Sequence, residues 1–366
     1  MWPSLERLGD WLLDLRKLPR AAVLAAVLVG SISPRVAVCT NEKQWEGFPV
    51  PPSEKPVLIE RFQYNMRGSV RLLFFWIGKS GVGGGWISRI RTSGELSGAW
   101  FDGWEVLFGS NPEAVPGSHN RWGYARELAF WGSPEGSSSR PVLEKTTFEG
   151  FMTRSGEESL TDVREREGVA SGGTAFEGTE SLVFRDRASV EIRRFVTESD
   201  VSYEAPAEIG QLYLELLQSQ NPDEKRTLSL RSPADRPYGF LTAVDSFLHD
   251  AVQIGNDKAR WEELKRQVRQ YSYNARHYSL ELKKIKHHDE VEFEDELSLD
   301  DVLEIDFEAR RTGAGNGHDF SVWTSCSGPL AGIPIKIVDK PRWWLKVELT
   351  LKDLQPAKTV IGPAAR

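Results

Sequence analysis

"IPIKIVDKPRWWLKVELTL", residues Ile333 to Leu351, is the stretch that shows most directly how this chain folds. Apolar and polar side chains alternate in it twice, on either side of a turn. Successive side chains of a strand point to opposite faces, so this period of two predicts two strands that share one buried face. A three-residue loop, Lys340 to Arg342, keeps both apolar sets on that face. It predicts the cross-strand pairs Ile337 with Leu345, Ile335 with Val347 and Ile333 with Leu349.

A second stretch, "RLLFFWIGKSGVGGGWISRI" from Arg71 to Ile90, superficially resembles a phosphate-binding loop. A P-loop requires a glycine five residues before the glycine of Gly-Lys-Ser, and this chain has Leu73 there. The glycines that follow Ser80 would also destabilise the helix that a P-loop begins. The pattern instead predicts a strand over Val70 to Ile77, a glycine-rich hairpin tip and a strand over Trp86 to Ile90. We therefore predict no nucleotide site.

Further strands are predicted on both sides of the chain's middle. Val70 to Trp131 contains six of the thirteen tryptophans in short apolar runs separated by Gly, Asn and Pro, which is typical of a β-meander. Another strand pair is predicted over Ser181 to Phe184 and Ser189 to Val196. Leu303 to Arg310 and Asp319 to Thr324 are predicted to pair around the flexible connection Thr312 to Gly317.

Three segments show helical periodicity instead. Apolar residues recur on one helical face in Ile209 to Leu217, Phe240 to Val252 and Trp261 to Tyr271. Capping-box spacing predicts a short surface helix over Ser155 to Gly168. A helix with one apolar face must cover another apolar surface. The predicted fold class is therefore α+β, with a curved antiparallel β-sheet, half-barrel-like, backed by about three helices.

The N-terminus has the layout of an export signal. Basic residues from Arg16 to Arg20 precede an uncharged, small and aliphatic run from Ala21 to Ser33, as in a signal peptide, and this run is short for a membrane-spanning helix. The leucine stripe in Met1 to Leu15 is atypical of a signal, which leaves a downstream translation start or a long n-region as alternatives. The signal is either cleaved or retained. Cys39 is a poor match to a lipidation site, because Val38 precedes it.

Length and composition allow one large domain or two ordinary ones, and the chain is long enough to bury a core. The 366 residues are 40% hydrophobic and 27% charged, which is typical of a globular protein. Without the first 39 residues the chain has 41 basic against 50 acidic side chains, a balance that disfavours nucleic acid as a partner. The predicted domains are 1–39, an export signal or anchor; 40–56, a linker; 57–354, one β-rich domain with a helical insert at 206–271; and 355–366, a disordered tail.

Short motifs are "NRWGY" from Asn120 to Tyr124, "VGGG" from Val82 to Gly85, and "IPIKIVDKPRWWLKVEL" near the C-terminus. With them, the chain from Val57 to Leu351 resembles a group of uncharacterised exported bacterial proteins. No activity is assigned to that group, so the resemblance implies export and an order of elements but transfers no catalytic residue. The predicted fold is also similar, by analogy alone, to periplasmic half-barrels that carry lipoproteins or lipids.

The loop from Gly109 to Gly123 is the predicted ligand-binding segment. Long connections within a compact domain are uncommon and often functional. This one ends in side chains that combine hydrogen-bond donors, a positive charge and aromatic surface. The predicted ligand-binding residues are His119, Asn120, Arg121, Trp122 and Tyr124. A purely structural alternative is that Arg121 and Trp122 fix the loop to the sheet.

Other candidate chemistry is weak. His287 and His288 open a tract with eleven carboxylates between Asp289 and Glu308, but adjacent histidines on a strand face opposite ways. The acids alternate with apolar residues, which predicts a solvated strand face, so no metal site is predicted. Cys326 has no activating partner visible in the sequence. His249 lies at the edge of an apolar helical stripe, which favours a structural histidine over a catalytic base. No catalytic residue and no cofactor are predicted.

The predicted function is therefore binding without catalysis. We expect an exported protein of the periplasm or cell envelope that binds an apolar or amphipathic ligand, or an envelope partner, on an open sheet face. The ligand would be lipid-like or a glycan, with no nucleic acid or nucleotide, and membrane contact would involve only the N-terminal segment. The alternative is an envelope hydrolase or a carbohydrate-binding protein that uses carboxylates and tryptophans between Trp76 and Trp131.

Overall fold

The computed structural model describes most of the chain after residue 46. The described ranges are 47–53, 55–72, 75–92, 100–111, 114, 122–132, 141–154, 174–184, 189–199, 206–218, 224–229, 236–273, 276–293, 298–313, 317–342 and 345–362. Three α-helices occur in them: α1 (Pro206–Gln218), α2 (Phe240–Ile254) and α3 (Lys258–Lys265). A short 3₁₀ turn spans Gly328–Leu330.

Strands dominate these ranges. In chain order they are β1 (Val57–Leu72), β2 (Phe75–Thr92), β3 (Trp100–Ser110), β4 (Trp122–Gly132), β5 (Val142–Arg154), β6 (Thr174–Phe184), β7 (Ser189–Ser199), β8 (Glu224–Ser229), β9 (Val268–Tyr273), β10 (Arg276–Glu292), β11 (Ser298–Arg311), β12 (Gly317–Ser325), β13 (Pro334–Arg342), β14 (Leu345–Leu351) and β15 (Ala357–Ile361).

All these strands belong to one antiparallel sheet. Strands β1 to β8 form one meander and β9 to β14 another, and pairing of β1 with β14 joins the two; β15 also pairs with β1. The sheet curls into a nearly closed barrel of 12 strands. Residues 236–238 span the gap between β5 and β9. Thr146 of β5 donates to the Pro237 carbonyl, and Tyr238 forms a parallel bridge with Tyr271 of β9.

The predicted α+β half-barrel backed by three helices is therefore wrong. The helices do not form a layer behind an open sheet. Helix α2 lies on the concave side of the barrel, where Phe247, Leu248 and Ala251 are buried among residues of β9 to β12. Helix α1 places Tyr213 against the convex side, beside Trp86 and Tyr124. The helical periods of α1 and α2 are confirmed, but periodicity shows only that a helix has an apolar face and not which surface covers it.

The third predicted helix also differs from the observed one. It was expected to continue to Tyr271, but α3 ends at Lys265 and β9 begins at Val268. Asp257 caps the start of α3, since its carboxylate accepts from the amides of Ala259 and Arg260 at 3.0 and 3.3 Å. Val268 is exposed and Tyr271 is buried. In this segment a strand pairing with β10 prevails over the apolar helical spacing.

The glycine-rich stretch is not a hairpin tip. It lies within β2, and the pairing of β1 with β2 continues beyond it as far as Leu72 with Phe75. The pairing shifts between Met66 and Arg67 of β1: Met66 pairs with Gly83, and Arg67 pairs with Ser80. Two residues of β2, Gly81 and Val82, are therefore extra and form a bulge. Gly81 has φ +69°, a conformation that glycine adopts without strain. The predicted tip at residues 78–85 is therefore wrong, and Lys79 lies in a strand and not at the start of a helix.

The C-terminal hairpin has the predicted faces but a different register. Ile337 pairs with Leu349 and not with Leu345, and a bulge precedes the pair of Arg342 with Leu345. The shift is an even number of residues, so the apolar side chains remain on one face and are buried. The three-residue loop is therefore wrong, whereas the assignment of Leu345 to the core is confirmed.

Other local predictions fare as follows. The pairings β6 with β7 and β11 with β12 are confirmed, as is burial of Leu303, Ile305 and Phe307 on the face opposite the acidic residues. The tail differs, since β15 lies within 355–366 and pairs with β1. The predicted helix at 155–168 and the export signal at 1–39 lie outside the described residues. The other domain boundaries stay a prediction. In the described part of the chain, no helix is long and apolar enough to span a membrane.

Candidate functional site

The most unusual feature of the barrel interior is a buried carboxylate at the start of α2. Glu127, on the inner face of β4, is 1% exposed. Its carboxylate accepts from the amides of Leu241 and Thr242, at 3.2 and 2.6 Å. These amides belong to the first turn of α2 and have no acceptor within the helix. A strand residue on the barrel wall thus caps the helix that fills the barrel.

Small residues make room for this cap. Ala125 and Ala129 flank Glu127 on the same face of β4, and both are 1% exposed. Gly239 precedes the helix, and a Cβ atom there would overlap the Glu127 carboxylate. The sequence signal was therefore a glutamate between two alanines of one strand face, followed far along the chain by a glycine before a helix. Sequence reasoning missed it because neither part indicates the other.

Burial shifts the proton equilibrium of this carboxyl group. It raises the pKa of Glu127 to about 7, although the hydrogen bonds from α2 act in the opposite direction. The ordinary pKa of a glutamate is close to 4.3. A buried carboxyl group with this pKa changes its charge near neutral pH, and with it the strength of its interaction with the positive end of the helix dipole.

A second polar cluster lies along α2. Asp102, on the inner face of β3, accepts from the Trp131 indole at 2.8 Å. Burial, followed by the charge of Asp245 on α2, raises the pKa of Asp102 to about 7. Burial also raises the pKa of Asp245, while Arg89 and a hydrogen bond from Trp104 act to lower it. Two carboxyl groups, one cation and two indoles thus meet at the helix surface.

This pair of carboxyl groups is the arrangement that bears on the hydrolase alternative. A carboxyl group with a pKa near 7 can act as a general acid when a substrate reaches it. Trp100 and Trp131 stack at 5.4 Å beside Asp102 and could bind a sugar ring. The hydrolase and carbohydrate-binding alternatives stay predictions.

Helix α2 is also held by an ion pair with β9. Arg269 contacts Asp250 at 2.7 Å, and its guanidinium lies 4.4 Å from the centre of the Phe247 ring. The ion pair is partly exposed, so it contributes little to stability. Most of the stabilisation of α2 comes from burial of its apolar face against the barrel wall. That wall includes Ala129, Leu143, Leu280, Leu282, Leu303, Ile305, Phe307, Phe320 and Val322.

The convex side of the sheet carries a row of polar side chains that crosses several strands. Arg61, Ser88, Glu105, Arg126 and Glu149 are neighbours across five adjacent strands. Arg126 is 3% exposed and forms an ion pair with Glu149. Its guanidinium also donates to the carbonyls of Phe48 and Pro49, at 2.7 and 3.0 Å. The segment predicted as a linker therefore contributes to the core at this point.

The predicted ligand-binding residues are only partly described. His119, Asn120 and Arg121 lie outside the described residues. Trp122 is half-buried on the convex face. Tyr124 is fully buried there, and its hydroxyl donates to Glu105 and accepts from the Phe48 amide at 3.2 Å. The structure thus places Tyr124 in packing and hydrogen bonding, and the ligand-binding role of the set stays a prediction.

The histidine and cysteine candidates meet at one end of the barrel. His287 lies 2.7 Å from Asp301, and the Cys326 thiol also bonds to Asp301. Burial, with Asp301 adding to it, raises the pKa of Cys326 to about 12. The thiol therefore stays protonated and is a poor nucleophile. His288 faces the other way and contacts Glu304 at 2.9 Å. The described residues include no group of three or more His, Cys, Asp or Glu side chains placed to hold a metal ion.

Comparisons with known proteins add only a likeness of fold. No protein-family model matches the chain, and no curated protein matches it. Among solved structures it is similar to a beta-barrel-like protein of domain of unknown function DUF1849 from Brucella abortus. The identity is 7% and the TM-score 0.40, over 83% of this chain and 99% of that chain. Export stays a prediction.

Proposed function

We propose that this protein is an exported, noncatalytic binding protein of the cell envelope, and that its ligand occupies the barrel interior in place of helix α2. The predicted open sheet face is not available, because α2 covers it. The main support for this proposal is that the inner wall already binds an amphipathic helix, α2, through an apolar surface and a few polar contacts. A ligand with the same character would be apolar or amphipathic.

Glu127 indicates which polar group the ligand would have. When α2 leaves the wall, Glu127 loses two amide donors, and a ligand that offers a donor or a positive charge can replace them. The apolar wall would bind the remainder of the ligand. Amphipathic helices of other proteins and lipid-like molecules with a donor group both meet this description. Export and location in the envelope rest on the N-terminal sequence alone.

The test compares two losses of a helix cap. Glu127→Ala removes the buried cap of α2, and Asp257→Ala removes the solvent-exposed cap of the neighbouring helix α3. Binding of 8-anilinonaphthalene-1-sulfonate and of a fluorescent fatty acid would be measured by titration. We expect Glu127→Ala to bind both probes more tightly than the wild type, because the competing helix is held less firmly.

The matched control decides how the result is read. Asp257→Ala should bind the probes as the wild type does, while both variants keep the wild-type circular dichroism spectrum. Equal probe binding by the wild type and Glu127→Ala would contradict the proposal. So would an increase of the same size in both variants, since it would reflect general loosening.

A further inference from the structure

The segment before β1 lies in a pocket on the convex side of the sheet. Phe48 is 5% exposed, although its segment forms neither a helix nor a strand. The centre of its ring lies 4.9 Å from that of Tyr124 and 5.2 Å from that of Tyr213. Trp86 and Phe151 belong to the same buried cluster. We call Trp86, Tyr124, Phe151 and Tyr213 the aromatic pocket.

Side chains of this region also bind the backbone of the segment. The Arg126 guanidinium donates to the carbonyls of Phe48 and Pro49, at 2.7 and 3.0 Å. The Phe48 amide donates to the Tyr124 hydroxyl at 3.2 Å. In peptide-binding proteins, hydrogen bonds to the main chain provide affinity, and a pocket for a side chain provides specificity. The segment is therefore held as a bound peptide would be.

Three successive residues fit the site, each for a different reason. Gly47 has φ +97°, and a Cβ atom there would overlap the Glu105 carboxylate, so a larger residue is disfavoured. Phe48 packs into the aromatic pocket. Pro49 has no amide N–H that would need an acceptor, and it favours an extended conformation of the residue before it. The site therefore selects the sequence Gly-Phe-Pro.

The charges at this site balance. In the row of polar side chains on the convex side, Arg61 lies 3.5 Å from Glu105, and Arg126 forms an ion pair with Glu149. Glu105 and Arg126 are both buried. Each buried charge thus has an opposite charge beside it, and a further buried charge would lack a partner. The site matches an uncharged peptide.

The chain's own segment leaves part of the site unused. Among the described residues, no acceptor is within hydrogen-bond distance of Nε of Arg126 or of Nε1 of Trp86, and both atoms are buried. Buried donors in proteins are nearly always paired, and an unpaired one is costly. A ligand that offers acceptors to these two donors would satisfy the site more completely than residues 47–49 do.

We propose that the aromatic pocket and Arg126 form a binding site for an extended Gly-Phe-Pro peptide of a partner protein, and that the chain's own residues 47–49 occupy it until this peptide displaces them. The internal segment competes strongly, because its tether gives it a high effective concentration. A partner overcomes this advantage through acceptors for the two unpaired donors. The site lies outside the barrel, so it is independent of the ligand proposed for the interior.

A second copy of this chain fits the site less well. It carries the same Gly-Phe-Pro sequence at residues 47–49. Exchange of this segment between two copies would make the same contacts in the pocket as the single chain makes. It would leave the same two donors unpaired. A different protein that supplies the missing acceptors is therefore the better partner.

The first test vacates the pocket in the full chain by Phe48→Ala. The probe is an end-capped, fluorescein-labelled peptide with the sequence EGFPVPP of residues 46–52, and its binding is followed by fluorescence anisotropy. We expect Phe48→Ala to bind this peptide about tenfold more tightly than the wild type, whose tethered segment competes. Pro52→Ala changes an exposed position of the same segment and should bind as the wild type does. The peptide with alanine in place of phenylalanine should bind none of these proteins.

The wild type gives a second measurement that does not depend on the folding of a variant. Peptide at a concentration on the order of 1 mM should compete with the tethered segment. We expect it to speed the hydrogen exchange of the Phe48 amide, measured by mass spectrometry, without changing exchange in the strands of the barrel. The alanine peptide should have no effect.

Three outcomes would overturn the proposal. The first is equal binding of the peptide by Phe48→Ala and by the wild type. The second is unchanged exchange of the wild-type Phe48 amide at the highest peptide concentration. The third is a concentration-dependent wild-type dimer that Phe48→Ala abolishes, because this result would assign the pocket to a second copy of the chain.

Discussion

The buried cap of α2 predicts a pH dependence of stability that one substitution should remove. Glu127→Gln keeps the size and shape of the side chain but cannot ionise. In the folded protein the pKa of Glu127 is raised to about 7, whereas in the unfolded chain it takes the ordinary value near 4.3. The folded state therefore binds the proton more tightly than the unfolded state does.

The size and sign of the effect follow from that difference. A group whose pKa is higher in the folded state contributes stability at pH values below the unfolded pKa, and this contribution is lost as the pH rises towards the folded value. At about 1.4 kcal/mol for each pKa unit, the loss for Glu127 is about 3 kcal/mol between pH 4 and pH 8. Glutamine has no such loss. The free energy of unfolding of Glu127→Gln, relative to the wild type, should therefore rise by about 3 kcal/mol over the same range.

Urea unfolding followed by tryptophan fluorescence, repeated at intervals from about pH 4 to pH 8, measures this difference. Asp102 also has a raised pKa and gives both proteins a common pH dependence, so the comparison between them is the relevant quantity. A difference between Glu127→Gln and the wild type that does not vary with pH would refute the assignment of a buried, proton-binding cap.

Two further predictions concern packing. Leu345→Ala should lower the free energy of unfolding by about 2–5 kcal/mol because Leu345 is in the core, whereas Lys346→Ala should lower it by no more than about 1 kcal/mol, since its ion pair is partly exposed; a larger effect of the lysine substitution in urea unfolding would contradict the observed faces. Phe48→Ala should cost about 3–5 kcal/mol, as expected for a buried aromatic ring, and should make the segment before β1 more sensitive to limited proteolysis; unchanged stability would show that this segment is a linker after all.

Much of the local structure could be predicted from the sequence. Alternation identified the faces of β11, β13 and β14, and helical spacing identified α1, α2 and the start of α3. These patterns depend on residues a few positions apart, so they are visible in the chain itself. Predictions from these patterns were wrong where the same residues fitted two kinds of local structure. Tyr271 continued a helical stripe but pairs in β9, and the glycines of β2 suggested a turn but accommodate a bulge and close strand contacts.

The candidate site could not be predicted in the same way. Glu127 lies in a strand with buried residues on both faces, so alternation gives no indication that one of them is a cap. Its partner Thr242 is 115 residues further along the chain. Phe48 and Arg126 are likewise brought together only by folding. No spacing rule covers contacts of this kind, and a glutamate between two alanines is by itself an ordinary strand motif.

The sequence by itself determined the antiparallel strands, the amphipathic helices and the face that each element buries, because side-chain direction repeats with a fixed local period. Only the tertiary structure decided the register, the near closure of the barrel, and the position of α2 inside it. Those features depend on which buried surface covers which other, and on whether a carboxylate meets the end of a helix. An apolar face specifies that it must be covered, whereas the covering element is chosen by long-range packing of the whole chain.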